Sequence, residues 1–340
     1  MRRTAVILLT LAALGSPATS TAASDHARTN RLAGPDRFVT ARVIATATFD
    51  QSSTVTLVSG RDFPDALASA YLNGITQTPL FLTERERLPD GLVDTLRSLD
   101  VSGIQVLGGP AAVSDALMAE LRGLGFVVDR LAGGDDRYET ARKVAELFPP
   151  EGIGQFGEGR AAIVASGQSF ADALAAGPMS ASQRLPILLS TSDRLHVHAR
   201  VALDGLGIEQ ALLVGGTAAL SADVAAEISA MGIAVRRIAG STRQATAEAI
   251  ARVESGELGY PVRRVIVARG DTFADALSVG IRAGLLRAPI LLTETPDVLG
   301  SHAETFIANS ATSIDVIDVV GGDAAVSPAV EASALAAARS

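Results

Sequence analysis

Three arginines, three aspartates and three glycine pairs recur in fixed order along this chain of 340 residues, at spacings that could serve binding or catalysis. Arg37, Arg137 and Arg243 each follow Asp36, Asp136 or Thr242, in a phrase that starts at Arg31, Arg130 or Arg237 and ends on Thr40, Thr140 or Thr246. The preceding Asp or Thr reads as a helix N-cap, which places each arginine at the first helical position. A cation there works against the helix dipole by about 0.3–1 kcal/mol. Its recurrence therefore needs a cause, either a fixed salt bridge to a neighbouring carboxylate or capture of an external anion, for which the forked guanidinium is well shaped.

Asp65, Asp172 and Asp275 lie in a second phrase, Ser-Gly-x-x-Phe-x-Asp-Ala-Leu, which begins at Ser59, at Ser166 and, with Arg in place of Ser, at Arg269. Each stands three residues after Asp62, Ser169 or Thr272, the spacing of a capping box with Asp where Glu or Gln is usual. The structural role is a carboxylate that stabilises a helix N-terminus. The functional role is a carboxylate displayed at the carboxyl ends of parallel strands, where such sheets bind ligands. Gly108-Gly109, Gly215-Gly216 and Gly321-Gly322 end apolar runs and lead to Ser114, Ser221 and Ser327. They read either as phosphate cradles at helix N-termini or as tight turns needing positive φ, followed by serine caps. Their spacing matches neither a dinucleotide fingerprint nor a Walker loop.

Catalytic sets are hard to assemble from this inventory. Without cysteine there is no thiol nucleophile, thiolate metal site or disulfide. The histidines are His26, His196, His198 and His302; His196 and His198 fall on different faces of a helix, and none is repeated from copy to copy. No catalytic residue, metal-ligand set or cofactor is expected.

The elements that must position these residues alternate short apolar runs with amphipathic stretches. In the first copy the pattern predicts strands over 54–59, 79–83 and 104–107, helices over 63–73, 88–99 and 114–124, and a last extended piece over 126–131. Leu80-Phe81-Leu82, Ile187-Leu188-Leu189 and Ile290-Leu291-Leu292 lack polar alternation, as strands covered on both faces of a parallel sheet do. An α/β fold of three tandem Rossmann-like parallel-sheet units follows, divided at 31–129, 130–236 and 237–340. The second and third are each preceded by an apolar strand. The first is preceded only by a short linker over 24–30, and the third has no strand after its final helix. One strand is thus short at each end, so the units can close around a pseudo-threefold axis; an open row is the plainer alternative.

Residues 1–23 read as a signal peptide: basic Arg2-Arg3, an apolar stretch over 5–14 too short to span a bilayer, and small residues over 16–23. No other segment is long and apolar enough to span, so no membrane span is expected after its removal. With 48% hydrophobic residues and mean hydropathy +0.30 the chain has apolar material for three domain-sized cores. Its formal charge of −8 becomes more negative once Arg2 and Arg3 are lost, which argues against nucleic acid as a partner.

Taken together, the Arg-Leu-Ala-Gly phrase, the Ser-Gly-x-x-Phe-x-Asp-Ala-Leu phrase, the Pro-[Ile/Leu]-[Leu/Phe]-Leu strands and the Gly-Gly-x-Ala-Ala turns resemble the cell wall-binding repeat 2 family over residues 31–340. The resemblance implies a secreted, non-catalytic, non-covalent anchor at a Gram-positive cell wall or cell surface, with an anionic cell-wall glycopolymer as partner. On that basis Arg37, Arg137, Arg243, Asp65, Asp172 and Asp275 are the polymer-binding candidates, while Asp62, Ser169, Thr272 and the glycine pairs serve as caps and turns. The third repeat departs most, with Thr242 for Asp, Gln244 for the aromatic and Arg269 for Ser. Competing expectations are a secreted nucleotide-dependent or wall-hydrolysing enzyme and a self-assembling surface-layer protein.

Overall fold

Apolar runs without polar alternation become buried strands, and the stretches between them become helices. The computed structural model describes residues 27–61, 64–169, 171–272 and 274–340, with 171, 274 and 275 described by backbone alone. The chain starts with β1 (Arg28–Leu32), α1 (Arg37–Thr46), β2 (Thr54–Ser59), α2 (Pro64–Thr76), β3 (Leu80–Thr83), α3 (Leu92–Ser98), β4 (Gly103–Leu107) and α4 (Asp115–Gly123). It continues with β5 (Val127–Ala132), α5 (Arg137–Ala145), a short β6 (Gln155–Phe156), β7 (Gly159–Ser166), α6 (Ala171–Leu174), α7 (Gly177–Gln183), β8 (Ile187–Ser190), α8 (Val197–Gly205), β9 (Gln210–Val214) and α9 (Ala222–Ser229). It ends with β10 (Ala234–Ile238), α10 (Arg243–Gly256), β11 (Arg264–Ala268), α11 (Ala274–Leu286), β12 (Ile290–Leu292), α12 (Ser301–Asn309), β13 (Val316–Val320) and α13 (Pro328–Ala337).

The strands form three parallel sheets of one design, ordered β3-β2-β4-β5, β8-β7-β9-β10 and β12-β11-β13-β1; β6 adds an antiparallel ribbon to the start of β7. In each sheet the last strand belongs to the segment that opens the following repeat. β5 and β10 follow directly along the chain. β1 comes from the opposite end and pairs in parallel with β13, from Arg28 beside Val316 to Leu32 beside Val320. The N-terminal strand supplies what the third unit lacks, and the units form a closed ring rather than an open row. Residues 28–30, expected as linker, are the first half of β1. Its half-exposed pattern, with only Leu32 buried, lacks the apolar signature of the other strands. The divisions expected at 130 and 237 fall inside β5 and β10, so each sheet is shared by adjacent repeats.

Helices cover both faces of each sheet, which is why all four residues of β3 and of β8 are buried. The inner layer is α2, α6–α7 and α11, packed on one another. Their small residues set the approach: a Cβ added to Gly177 would stand 3.4 Å from Gly280 Cα, and one on Gly284 2.5 Å from Ala181 Cβ. These small residues bring helix to helix. Pro178, which has no N–H to donate, coincides with the break between α6 and α7, whereas α2 and α11 are continuous. A continuous apolar core runs through all three units, with outer clusters in the first and third. Three further helices bridge the junctions: α1 lies on β3 and α11, α5 on β8 and α2, α10 on β12 and α6. α3 starts later than its periodicity predicts because Gly91, at φ 73°, interrupts the helical backbone.

Candidate functional site

In each sheet the connections depart in opposite directions from a central pair: β2 and β4, β7 and β9, or β11 and β13. The crevice beyond the carboxyl ends of such a pair is where open parallel sheets place ligands. Three pieces of chain meet there: the loop into the inner helix, the glycine turn, and the phrase that opens the next repeat. At the first junction they enclose a cleft of 380 Å³ whose lining includes Ser59, Arg61, Asp65, Gly109, Asp136 and Arg137. At the ring-closing junction a cleft of 240 Å³ is lined by Gly34, Asp36, Arg37, Thr40, Thr272 and Gly322 among others.

The arginines stand where the spacing predicts. Asp36, Asp136 and Thr242 accept through their side chains from the N–H of Val39, Glu139 and Ala245, and Arg37, Arg137 and Arg243 open α1, α5 and α10. Each guanidinium donates through Nη1 to a backbone carbonyl: Gly60 at 2.8 Å, Gly167 at 2.7 Å and Gly270 at 2.7 Å. These bonds add a cause that neither sequence alternative contained, since each arginine holds the loop that follows β2, β7 or β11. Phe38, Tyr138 and Gln244 lean on the same glycines, where an added Cβ on Gly60 would meet Phe38 Cε1 at 2.6 Å and one on Gly270 would meet Gln244 Nε2 at 3.1 Å. Thr40, Thr140 and Thr246 are buried and accept from the N–H of Gly34 at 3.1 Å, Gly134 at 3.0 Å and Gly240 at 3.1 Å.

Sequence reasoning gave no role to the arginine that starts each phrase. Arg31 donates to the carbonyls of Gly321 and Val326, Arg130 to those of Gly108 and Val113, and Arg237 to those of Gly215, Gly216 and Ser221. These side chains pin the glycine turn of one repeat to the first strand of the next. Their strict recurrence was the signal that could have found them. The second glycine of each pair faces a phrase glycine across the junction: an added Cβ would lie 3.0 Å from Gly134 O at Gly109, 3.9 Å from Gly240 O at Gly216 and 3.7 Å from Gly34 O at Gly322.

Asp65 and Asp172 are the second residues of α2 and α6, half-buried, with their carboxylates against the first glycine of the pair. A Cβ on Gly215 would lie 2.7 Å from Asp172 Oδ2, and one on Gly108 would crowd Asp65 further. Gly108, Gly215 and Gly321 have φ of 99°, 107° and 108°, in the left-handed region that favours glycine. Ser169 and Thr272 lie two residues ahead of α6 and α11, while Asp62 and the side chain of Asp275 fall outside the described residues. Ser114 and Ser221 cap α4 and α9 by accepting from Leu117 N–H at 3.1 Å and Val224 N–H at 3.4 Å. Ser327, expected to act likewise, makes no capping bond, and its hydroxyl is buried without a partner.

Charge in the clefts is mixed. The first holds Arg61 and Arg137 with Asp65, Asp135 and Asp136, and Arg61 is forked onto Glu84 through two bonds of 2.6 Å. In the third repeat Arg269, which replaces serine, pairs with Asp271 and holds that carboxyl below its usual range. A histidine does recur, against expectation: His198 and His302 are the second residues of the equivalent helices α8 and α12. His302 Nδ1 lies 2.6 Å from Glu248, while His196 stacks on Tyr138 at 3.9 Å and is pushed down in pKa by burial. Among the described residues, no group of three or more His, Asp or Glu is placed to hold a metal ion, and no helix is long and apolar enough to cross a membrane.

The description Cell wall binding domain 2 (CWB2) matches residues 31–118, 130–225 and 237–331. The chain is 27% identical over 310 residues to N-acetylmuramoyl-L-alanine amidase LytC of Bacillus subtilis (strain 168), a match covering 91% of this chain and 58% of the amidase. Among solved structures it is similar in fold to Cwp8 from Clostridium difficile, with TM-score 0.75 and 24% identity over 92% of this chain and 51% of Cwp8. It is likewise similar to Cwp6 from Clostridium difficile, with TM-score 0.77 and 24% identity over 90% of this chain and 48% of Cwp6.

Proposed function

The chain belongs to the cell wall binding domain 2 family, and from that premise we propose that it attaches to the wall by seating an anionic wall glycopolymer along its three repeat junctions. The observation that carries this reading is the threefold recurrence of one arrangement at the ligand-binding ends of parallel sheets. Each copy has an arginine at a helix N-terminus and a glycine turn that lets the backbone come close. A single exposed ion pair is worth about 0–1 kcal/mol. Contacts linked on one rigid ring reinforce one another through effective concentration, so three weak sites suit a partner that repeats its charges. The protein acts as an exported, non-catalytic binding module; the 58% of the amidase that it spans supports kinship with that relative's wall-binding part, and the hydrolysis in the relative's name is not carried over.

Co-sedimentation tests the reading. The protein should be retained by purified Gram-positive walls, released as salt rises, and lost from walls stripped of their anionic polymers. Equal retention on stripped walls contradicts it, and hydrolysis of wall material or a thermal shift with nucleotides points to an enzyme instead.

A further inference from the structure

The three junctions are alike in shape but not in how they are held. At the first two, the strand that completes the sheet follows its partner along the chain. At the third, β1 must be captured from the far end of the chain, where Ala27 O accepts from Arg339 close to the C-terminus. Among the described residues of the three junctions, only this one has a charged network built around a fully buried carboxylate. Asp318, in the middle of β13 and fully buried, lies beside Asn30 of β1. Its Oδ1 accepts from Asn30 Nδ2 at 2.7 Å and from Arg264 Nη1 at 2.5 Å, and its Oδ2 accepts from Arg282 Nε at 3.0 Å. Arg282, on α11, also donates to Ala47 O at 2.8 Å and Thr48 Oγ1 at 3.3 Å, just past the end of α1.

One carboxylate therefore ties down both ends of the β1–α1 segment, the strand through Asn30 and the helix terminus through Arg282. Between the two ties lie Gly34, Asp36, Arg37 and Thr40, which line the ring-closing cleft. Elsewhere the partners at the Asn30–Asp318 position are Asp129 with Gln105 and Arg236 with Leu212. Arg282 stands as far after Asp275 as Met179 after Asp172 and Leu72 after Asp65. Those junctions keep their strand by chain continuity, and where Asp318 and Arg282 stand they have the uncharged residues Gln105 and Leu72 or Leu212 and Met179. A buried ion pair adds little net stability over apolar side chains of similar size, but it selects one partner geometry.

We propose that Asp318 with Arg282 is the clasp that closes the ring, and that both are positioning residues for the third cleft. The part of this inference that concerns polymer rests on the function proposed above; the closure itself does not. Asp318→Leu alone would leave Arg282 buried and uncompensated, so the test is the double variant Asp318→Leu/Arg282→Met, which installs the apolar pair found at Leu212 and Met179. Hydrogen exchange should accelerate at least tenfold over residues 28–46 while β11, β12 and β13 stay protected. Affinity for native walls should fall to that of Arg37→Ala, with no further loss when Arg37→Ala is added. Wild-type protection over 28–46 in the double variant overturns the clasp. If that protection is lost but wall binding is unchanged, closure stands and the link to binding is overturned. If even the wild-type protein ignores anionic polymer, the earlier reading fails while the exchange result still decides the clasp.

Discussion

At Gly108 and Gly215, the first glycines of their pairs, two constraints coincide: a positive φ and a carboxylate where a side chain would go. Gly215 has both, with φ 107° and Asp172 Oδ2 2.7 Å from an added Cβ, whereas Gly216 would meet Gly240 O only at 3.9 Å. Gly215→Ala should cost about 1–3 kcal/mol and Gly216→Ala no more than about 0.5 kcal/mol, read as denaturant midpoints; equal costs would show that the turn is not strained as described. Glu254 supplies a second test. It is wholly buried on α10 with neither carboxyl oxygen hydrogen-bonded, and burial pushes its pKa well above 4.5, while the Met179 amide opposes this from outside hydrogen-bonding geometry. The fold keeps it protonated where the unfolded chain ionises it, so its contribution is greatest below pH 4.5 and is lost as pH rises toward the folded value, at up to about 1.4 kcal/mol per pH unit. Glu254→Gln should flatten the fall in stability between about pH 5 and 7; parallel curves for the two proteins contradict this. The N-caps at Asp36, Asp136 and Thr242 were legible from spacing alone, because a cap is a local bond. The carbonyl partners of Arg37, Arg137 and Arg243 were not, because Gly60, Gly167 and Gly270 lie more than twenty residues further along the chain.

Among the elements, strands buried on both faces were readable from their composition, and β2 has the predicted limits. β1 was missed because an edge strand with one buried residue carries no apolar run, and its partner lies at the other end of the sequence. The inner helices were recognised, but the packing of one on another was not legible, since a stripe of Gly and Ala fits a sheet and a helix equally well. That packing is testable. Gly284→Val pushes side-chain atoms into Ala181 of another unit and should cost about 1–3 kcal/mol by overpacking. Because α11 touches both α2 and α7, hydrogen exchange should rise in all three units. A rise confined to the third unit would mean that the inner helices are not one core.

For the whole molecule, ring closure turns three sequence repeats into three composite junctions, each built from the end of one repeat and the start of the next, with clefts at the first and at the ring-closing one. The repeat count and the parallel architecture could be read from the sequence, and closure could be posed as an alternative. The pairing of β1 with β13 decides it. Each cleft arginine also holds a loop, so replacing one with Ala should lower stability by about 0.5–1.5 kcal/mol for the lost hydrogen bond, and comparisons of binding belong at temperatures where both proteins are folded. The most direct measurement is the dissociation constant for native walls of the Arg37→Ala/Arg137→Ala variant against wild type. If linked contacts in equivalent clefts hold the polymer, the folded double variant should bind at least about a hundredfold more weakly. Binding at wild-type affinity and wild-type salt sensitivity would contradict it.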